Sequence, residues 1–491
     1  MEDHKYEQIF VNNEFVTPLS GETYETINPA TGEVWTLVAK SSEADVDLAV
    51  EAASNAFEGE WRSYTGTQRS HLLRKLGDLI RRDTEKLARL ESRDNGKLYS
   101  ELLNGEIPNV AEWFYFYAGI ADKMYGSYIS HDPNLFSVVK KEPVGVVGAL
   151  VPWNSPLLMI AWKAAPALAA GNTMVIKPAD QTSVTALEFG KLVAEAGFPP
   201  GVVNVVTGGA EVGAAIVGHP KVDKIAFTGS SRTAQVISKG SVGNLKRLSF
   251  ELGGKAPHII FEDADLDQAL IAATSGIFIN AGQTCAAGSR LLVSSKIYDD
   301  FVGKLVEKAK TIRVGDPMDP KSHMGPQSLE AQVEKIEEFI EVAKQEGGNI
   351  LTGGRRLAVE GFENGFFFEP TIISGLSEDS YVCREEIFGP VLVVIPFDTE
   401  EEAIRIANNS QYGLTAGLWT NDVRKAHRVA DAIRAGIVWI NTYRKVLWQV
   451  PYGGFKMSGY GRENGLEVME LYTEAKTVMM DINTSRVDPY A

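Results

Sequence analysis

The sequence predicts an α/β fold, a doubly wound parallel sheet followed by a second α/β unit. Three observations carry this expectation. From about residue 137, short β-branched runs alternate with helical patterns, in the order SVVKKEPVGVVGALV, 157–170, TMVIK, 182–196, VVNVV, 210–218, KIAFT, 231–240 and LSFEL. That alternation is the rhythm of βαβ units, whose strands lie parallel with helices on both faces. After GGK at 253–255 a second series begins, with strand candidates LLVS (291–294) and VLVVIPF (391–397). Finally, 491 residues with 44% hydrophobic content supply enough core for about two to four domains.

Taken in order, the chain opens with a polar, turn-rich stretch, INPATGEVW (27–35), and continues in charged helical patterns. The strongest spans 67–93, where Leu72, Leu73, Leu76, Leu79 and Ile80 follow helical spacing. Within the βαβ series, 182–196 reads as a helix capped by Thr182 or Ser183, with Val184, Leu187, Leu192 and Ala196 near helical spacing and Gly197 with Pro199 ending it. The second series adds helices near 262–276, 298–312, 328–346, 400–409 and 422–434. The tail from about 470, YTEAKTVMMDI, alternates like a strand without a core of its own. Such a strand is expected to pair with another sheet, and a partner subunit is one candidate.

Composition excludes several classes. Forty-eight Lys and Arg against 64 Asp and Glu leave a net charge of −16, so there is no basic field to gather phosphates and nucleic acid is not an expected partner. Cys285 and Cys383 stand too far apart in sequence for zinc-ligand spacing and form no disulfide framework, which fits a reducing compartment. The seven His include no H-x-x-x-H or H-E-x-x-H pair, so no metal is expected. MEDHKYEQIF lacks an apolar signal core and no run of 18 uncharged apolar residues occurs, so no membrane association and a cytoplasmic location are expected.

Three stretches hold residues with chemical potential. In FINAGQTCAAGS (278–289), Cys285 alone would pass for a small buried hydrophobe. Its neighbours Ala286, Ala287 and Gly288 nevertheless leave room for a substrate, and its backbone N–H lies in a Gly-rich turn that can help bind an oxyanion. FELGGK (250–255) places Glu251 at the end of a β-rich run, before a Gly pair that lets the chain swing. VPWN (151–154) ends an apolar strand and sets Asn154 before a helical run, where it suits either a helix cap or an amide aimed at a negative oxygen.

The order and spacing of these stretches resemble the aldehyde dehydrogenase superfamily over essentially the whole chain. The resemblance rests on PWN (152–154), KPA (177–179), FTGS (227–230), ELGGK (251–255), GQTCAA (282–287), EEIFGPV (385–391) and PYGGFKMSGYGRE (451–463). It implies the hydrolytic, non-CoA-acylating type, with Cys285 as nucleophile, Asn154 and the Cys285 N–H as oxyanion hole, and Glu251 as general base. A thiolate adds to the aldehyde carbon, the adduct gives up hydride, and a thioester remains for water to cleave. A carboxylate taking the water's proton contributes about 10²–10⁴-fold.

The chain has no G-x-G-x-x-G after a strand. By resemblance the cofactor is NAD, with NADP possible. The resemblance implies that Lys177 and Asp180 hold the adenosine ribose, that Gly229 and Ser230 meet the pyrophosphate at a helix start, that Glu386 with Phe388 holds the nicotinamide ribose, and that Trp153 also binds the cofactor. Gln332 and Lys335 are weaker adenosine-side candidates, left out of the site. The implied architecture is a dinucleotide-binding doubly wound domain (1–123 and 144–252), an α/β catalytic domain (253–455) and a small β oligomerisation arm (124–143 and 470–491), assembled as a homodimer or homotetramer.

Three departures from the family pattern matter. Ser155 stands where an aromatic usually follows PWN, Ala234 where glycine is common, and Asp180 where NAD-dependent relatives often carry glutamate. With Ser155, a medium-to-bulky apolar or aromatic aldehyde is expected, in a passage lined by Trp162, Tyr443, Val446 and Trp448. The alternatives are a semialdehyde with a distal carboxylate, should Arg444 and Lys445 point inward, and a CoA-acylating relative, against which Glu251 argues. A thiol esterase would have no use for the ribose contacts, and a non-enzymatic structural protein none for Cys285, Glu251 and Asn154 together.

Overall fold

VVGAL and TMVIK are apolar over nearly their whole length, which suits strands covered on both faces. Val146–Leu150 and Thr173–Lys177 lie side by side near the middle of an eight-stranded sheet. The computed structural model describes residues 6–483 and 488–491. Residues 1–5 and 484–487, which the sequence assigns to the first domain and to the arm, lie outside the described residues.

In spatial order the sheet runs Glu14–Val16, Ile9–Val11, Val203–Val205, Thr173–Lys177, Val146–Leu150, Lys224–Gly229, Arg247–Leu252 and Gly459–Tyr460. The five central strands are parallel and the outer ones join antiparallel. Chain order runs from Val146–Leu150 outward to Val203–Val205, then returns to the other side with Lys224–Gly229 and Arg247–Leu252. Such a reversal opens a crevice at the carboxyl ends of the strands. Four neighbouring strand ends therefore present Lys177, Trp153 with Asn154, Gly229 with Ser230, and Glu251 in a row.

Two helices depart from expectation. The 67–93 pattern is two helices, Gly66–Arg82 and Thr84–Asn95, broken at Asp83. There the backbone leaves helical dihedrals, and the Thr84 hydroxyl takes the carbonyls of Ile80 and Arg81. The Val184–Ala196 helix ends at Gly197 in the left-handed region as expected, but neither Thr182 nor Ser183 caps its start. Ser183 already has helical dihedrals and its hydroxyl bonds Ala179 O. The capping acceptor comes from far away, Asp94 Oδ2 receiving the Val184 N–H at 3.2 Å.

A second, seven-stranded sheet runs Asn349–Thr352, Thr371–Ser374, Val391–Phe397, Arg290–Ser294, Pro257–Ile260, Thr415–Trp419 and Ile437–Ile440, parallel except for its first pair. The two strand candidates read from the sequence are neighbours at its centre. The tail strand, Thr473–Asp481, pairs antiparallel with Leu135–Pro143 of its own chain, from Thr473↔Pro143 to Asp481↔Leu135, and Ser127–Ile129 completes a three-stranded sheet. The chain returns between these units through Ser458, whose buried hydroxyl donates to Gly253 O (2.7 Å) and accepts from Gly413 N (3.0 Å).

Burial pushes the Asp94 carboxyl up to about 7. A folded-state value above the unfolded one means that the unfolded chain gives up its proton first, so the stability associated with this group is lost as pH rises between about 4 and 7. Asp94→Asn keeps an oxygen for the Val184 N–H and does not titrate. Thermal unfolding of the two proteins is expected to coincide near pH 4, and the variant should become the more stable towards pH 7; a constant offset at all pH values would contradict this.

Candidate active site

Cys285 sits on a loop forced into an unusual shape. Asn280 and Ala281 have φ of +56° and +51°, and Gly282 follows at +75°. A Cβ on Gly282 would run into the carbonyl of Gly389, so glycine lets this loop press against the EEIFGPV segment. The loop is laced to PWN: Asn154 Nδ2 donates to Gln283 O at 2.9 Å, and Asn280 Nδ2 donates to Asn154 O and Gln283 O. Asn154 therefore does not cap the Pro156–Ala170 helix. The cap position is Ser155, which makes no capping bond either, and Leu157 N donates instead to Glu91. An amide nitrogen has two N–H groups. Asn154 uses one on Gln283 O, and the other has no partner among the described residues; nor has the backbone N–H of Cys285.

Glu251 lies near the end of Arg247–Leu252, 2% exposed, with both carboxylate oxygens unpartnered among the described residues. Burial and the nearby Glu463 push its carboxyl well above the ordinary range, while Lys163 and Arg462 act the other way. Burial also pushes the Cys285 thiol up to about 12. The Lys163 ammonium donates to Thr228 Oγ1 (2.8 Å) and Glu463 Oε1 (2.5 Å). The sequence carried a signal for it that went unused: Lys163 is the single charge in PLLMIAWKAAPALAA, a helix buried on nearly every side. An unpaired charge there would be costly.

On the opposite wall, Glu386 Oε1 accepts from Gly254 N at 2.9 Å, and a Cβ on Gly253 would collide with the same carboxylate. Trp153 and Phe388 meet edge to face at 5.3 Å. Gln332 and Lys335 line the cavity on this same wall. They hold the turn between Glu386 and Phe388, Gln332 Nε2 donating to Ile387 O and Phe388 O and Lys335 Nζ to Glu386 O. Ser230 caps the Ser231–Gly240 helix, its hydroxyl accepting from Thr233 N at 3.1 Å.

One cavity of about 720 Å³ joins these groups: Cys285, Glu251, Asn154, Trp153, Gly229, Ser230, Glu386 and Phe388 all line it. Lys177 and Asp180 do not. Lys177 lies at the end of the strand beyond PWN, its ammonium donating to Pro178 O, and Asp180 opens the short turn after it. Beyond Cys285 the cavity continues between Trp113, Trp162, Leu158, Met159, Val446 and Arg444. Tyr443 and Trp448 are absent from this wall. Tyr443 is stacked on His258 at 4.2 Å behind the cysteine loop, and Trp448 packs edge-on against Trp113. Ser155 is no simple vacancy, since its hydroxyl accepts from Lys97 Nζ at 2.7 Å beside Glu106. Arg444 faces the cavity while Lys445 is exposed. The Arg444 guanidinium meets Thr284 Oγ1 and the carbonyls of Ser275 and Ile279, and no carboxylate among the described residues.

Comparison with known proteins agrees with this arrangement. The model of the Aldehyde dehydrogenase family matches residues 15–478. An aldehyde dehydrogenase of Emericella nidulans is 46% identical over 479 residues, covering 96% of this chain and 95% of that one. Human retinal dehydrogenase 2 is 47% identical over 482 residues, 97% and 92% of the two chains. The NAD+ complex of an aldehyde dehydrogenase from Bacillus cereus superposes with a TM-score of 0.96 at 45% identity, covering 98% and 97%. With a family model spanning nearly its whole length and relatives this similar from end to end, the chain belongs to the aldehyde dehydrogenase family, whose members are NAD(P)-dependent oxidoreductases.

Proposed function

We propose that the protein oxidises an aldehyde to its carboxylic acid with NAD, through a thioester on Cys285 that water cleaves. The observation that carries this reading is the pair of unpartnered donors, the Cys285 N–H and the second N–H of Asn154, beside a thiol in a cavity shared with an unpartnered buried carboxylate. The Cys285 sulfur attacks the carbonyl carbon, and the oxygen, as it gains charge, lies where these two donors stabilise it. Bound NAD supplies the hydride acceptor. Glu251, held above the ordinary carboxylate range, takes a proton from the water that attacks the thioester. Lys163 favours and Glu463 opposes the ionised form of Glu251 that accepts this proton. With that glutamate present, water rather than CoA is the acyl acceptor.

The residues fit a dinucleotide. Ser230 opens a ten-residue helix whose N-terminal amides favour an anion. The backbone at Gly253 and Gly254 carries no side chain, leaving the Glu386 carboxylate beside the cavity. Lys177 and Asp180 would hold the adenosine end outside that cavity, and the Asp180 carboxylate disfavours the 2′-phosphate of NADP. On this reading residues 1–123 with 144–252 bind the cofactor, 253–455 carry the cysteine, and 124–143 with 470–491 form an arm that joins subunits. Exposed Tyr128, Phe136, Val478 and Met479 on the arm suit a homodimer or homotetramer.

Trp113, Trp162, Leu158, Met159 and Val446 support a bulky apolar or aromatic aldehyde as substrate. A second reading, an aldehyde with a distal carboxylate, is favoured by one observation, the cavity-facing Arg444, whose guanidinium hydrogen-bonds no carboxylate among the described residues.

Asn154→Ala is expected to lower kcat by about 10²–10³-fold, with dinucleotide affinity unchanged by fluorescence titration. Cys285→Ala should abolish oxidation and keep that affinity; turnover above a few per cent of the parent would remove Cys285 from the chemistry. Glu251→Gln should keep the first-turnover burst of NADH and lose about 10²–10⁴-fold of the steady rate. Because the Glu251 carboxyl is raised, the parent's steady rate should climb with pH through a limb above the ordinary carboxylate range, and the variant should lack that limb. For the substrate, benzaldehyde and larger aromatic aldehydes are expected to exceed acetaldehyde and succinic semialdehyde in kcat/KM. If succinic semialdehyde leads and Arg444→Met erases its advantage, the second reading replaces the first.

A further inference from the structure

We propose that the Tyr452 hydroxyl is a hydrogen-bond donor to the reacting sulfur, stabilising Cys285 as a thiolate both when it attacks and when it leaves. Tyr452 is 2% exposed, and its hydroxyl lies 3.4 Å from Cys285 Sγ, its one hydrogen-bond partner among the described residues. A buried phenol hydroxyl ordinarily finds a partner, and here that partner is the nucleophile. The ring has little freedom to turn away. It packs edge-on against Trp162 at 5.0 Å, and the Tyr452 N–H and C=O exchange bonds with the Glu463 backbone at 2.7 Å each.

The direction of the bond follows from the chemistry of the two groups. A thiol is a weak donor and a thiolate a strong acceptor, whereas a phenol keeps its proton well above neutral pH. Burial and the cysteine's charge hold the Tyr452 hydroxyl protonated. Loss of the Cys285 proton to solvent therefore strengthens the contact. The groups that bear on Cys285 are Glu251 and Glu386, which oppose the thiolate, and Arg444 and Tyr452, which favour it.

The role in the reaction rests on the reading of Cys285 as nucleophile, and it recurs at the second step. When water adds to the thioester, its oxygen bonds the acyl carbon and one proton passes to Glu251. The carbon–sulfur bond then breaks and its electron pair returns to sulfur, giving again the thiolate that the Tyr452 O–H meets. One hydroxyl thus assists both formation and expulsion of the same anion.

Tyr452→Phe keeps the ring and removes the donor. Titration of Cys285 is read from thiolate ultraviolet absorbance, as the difference from Cys285→Ala, and from the rate of iodoacetamide alkylation at that residue, mapped by peptide mass. The Phe variant is expected to show a thiol titration displaced upward by about one unit, hence alkylation about tenfold slower at a fixed pH below the midpoint. Burst and steady-state rates should both fall while dinucleotide affinity holds. Unchanged titration and alkylation, with or without loss of turnover, would leave Tyr452 a packing residue and overturn the proposal. Full turnover by Cys285→Ala would instead overturn the nucleophile reading, and with it any catalytic role for Tyr452, whatever the titration shows.

Discussion

The catalytic cleft depends on a buried ammonium group. Lys163 is fully buried, and burying a charge is tolerated only when it is paired and hydrogen-bonded. With its two partners it ties together three regions of the chain: its own helix after PWN, Thr228 on the strand that leads to Ser230, and Glu463 from the C-terminal segment. Removing the Glu463 carboxylate would leave the Lys163 charge unpaired in an apolar interior at a cost of about 3–5 kcal/mol. The same group lies beside Glu251 and offsets the repulsion from Glu463. Position of the helix, direction of the strand end and charge of the Glu251 carboxylate are thus settled together.

Against this fixed wall, the facing wall is shaped by close backbone approaches. Gly253 lies where a Cβ would collide with Glu386, and Gly282 where it would meet the Gly389 carbonyl. Three successive residues in the left-handed region, two of them not glycine, store strain of the kind found at sites held open for chemistry. The bonds from Asn154 and Asn280 hold that strain in place. The two sheets meet across this contact, and the one cavity that runs along it joins the thiol to the aromatic pair Trp153 and Phe388.

Much of this was legible in the sequence, for reasons that differ by element. Strands of the first sheet are buried on both faces, so apolar runs such as VVGAL and TMVIK declare them. In the second sheet PHII, TIIS and IVWI are four residues each, too short to stand out from neighbouring apolar helix. The family was legible because seven motifs keep their order. Their side chains' surroundings were not. Lys177 and Asp180 share strand-end geometry with Gly229 but lie off the cavity. Tyr443 and Trp448 belong to a wall segment yet point behind it, because an aromatic there serves core packing as readily as a channel. The capping of Val184 by Asp94 and the Tyr452 contact with Cys285 join residues 90 and 167 positions apart, and no local pattern encodes such meetings.

The Lys163 to Glu463 pairing also sets a timetable for biosynthesis. These residues are 300 positions apart, and Ser458, Tyr460 and the tail strand join earlier parts of the chain only after nearly all of it has been made. While the nascent chain lacks its last segment, Lys163 has no counter-ion, the first sheet has an open edge beside Glu251, and Leu135–Pro143 has no partner on one side. Open strand edges of this kind invite pairing with other chains until they are covered. A polypeptide terminated early would hold Cys285 and Asn154 but neither Tyr452 nor Glu463, so the cleft around the thiol closes only in the finished chain.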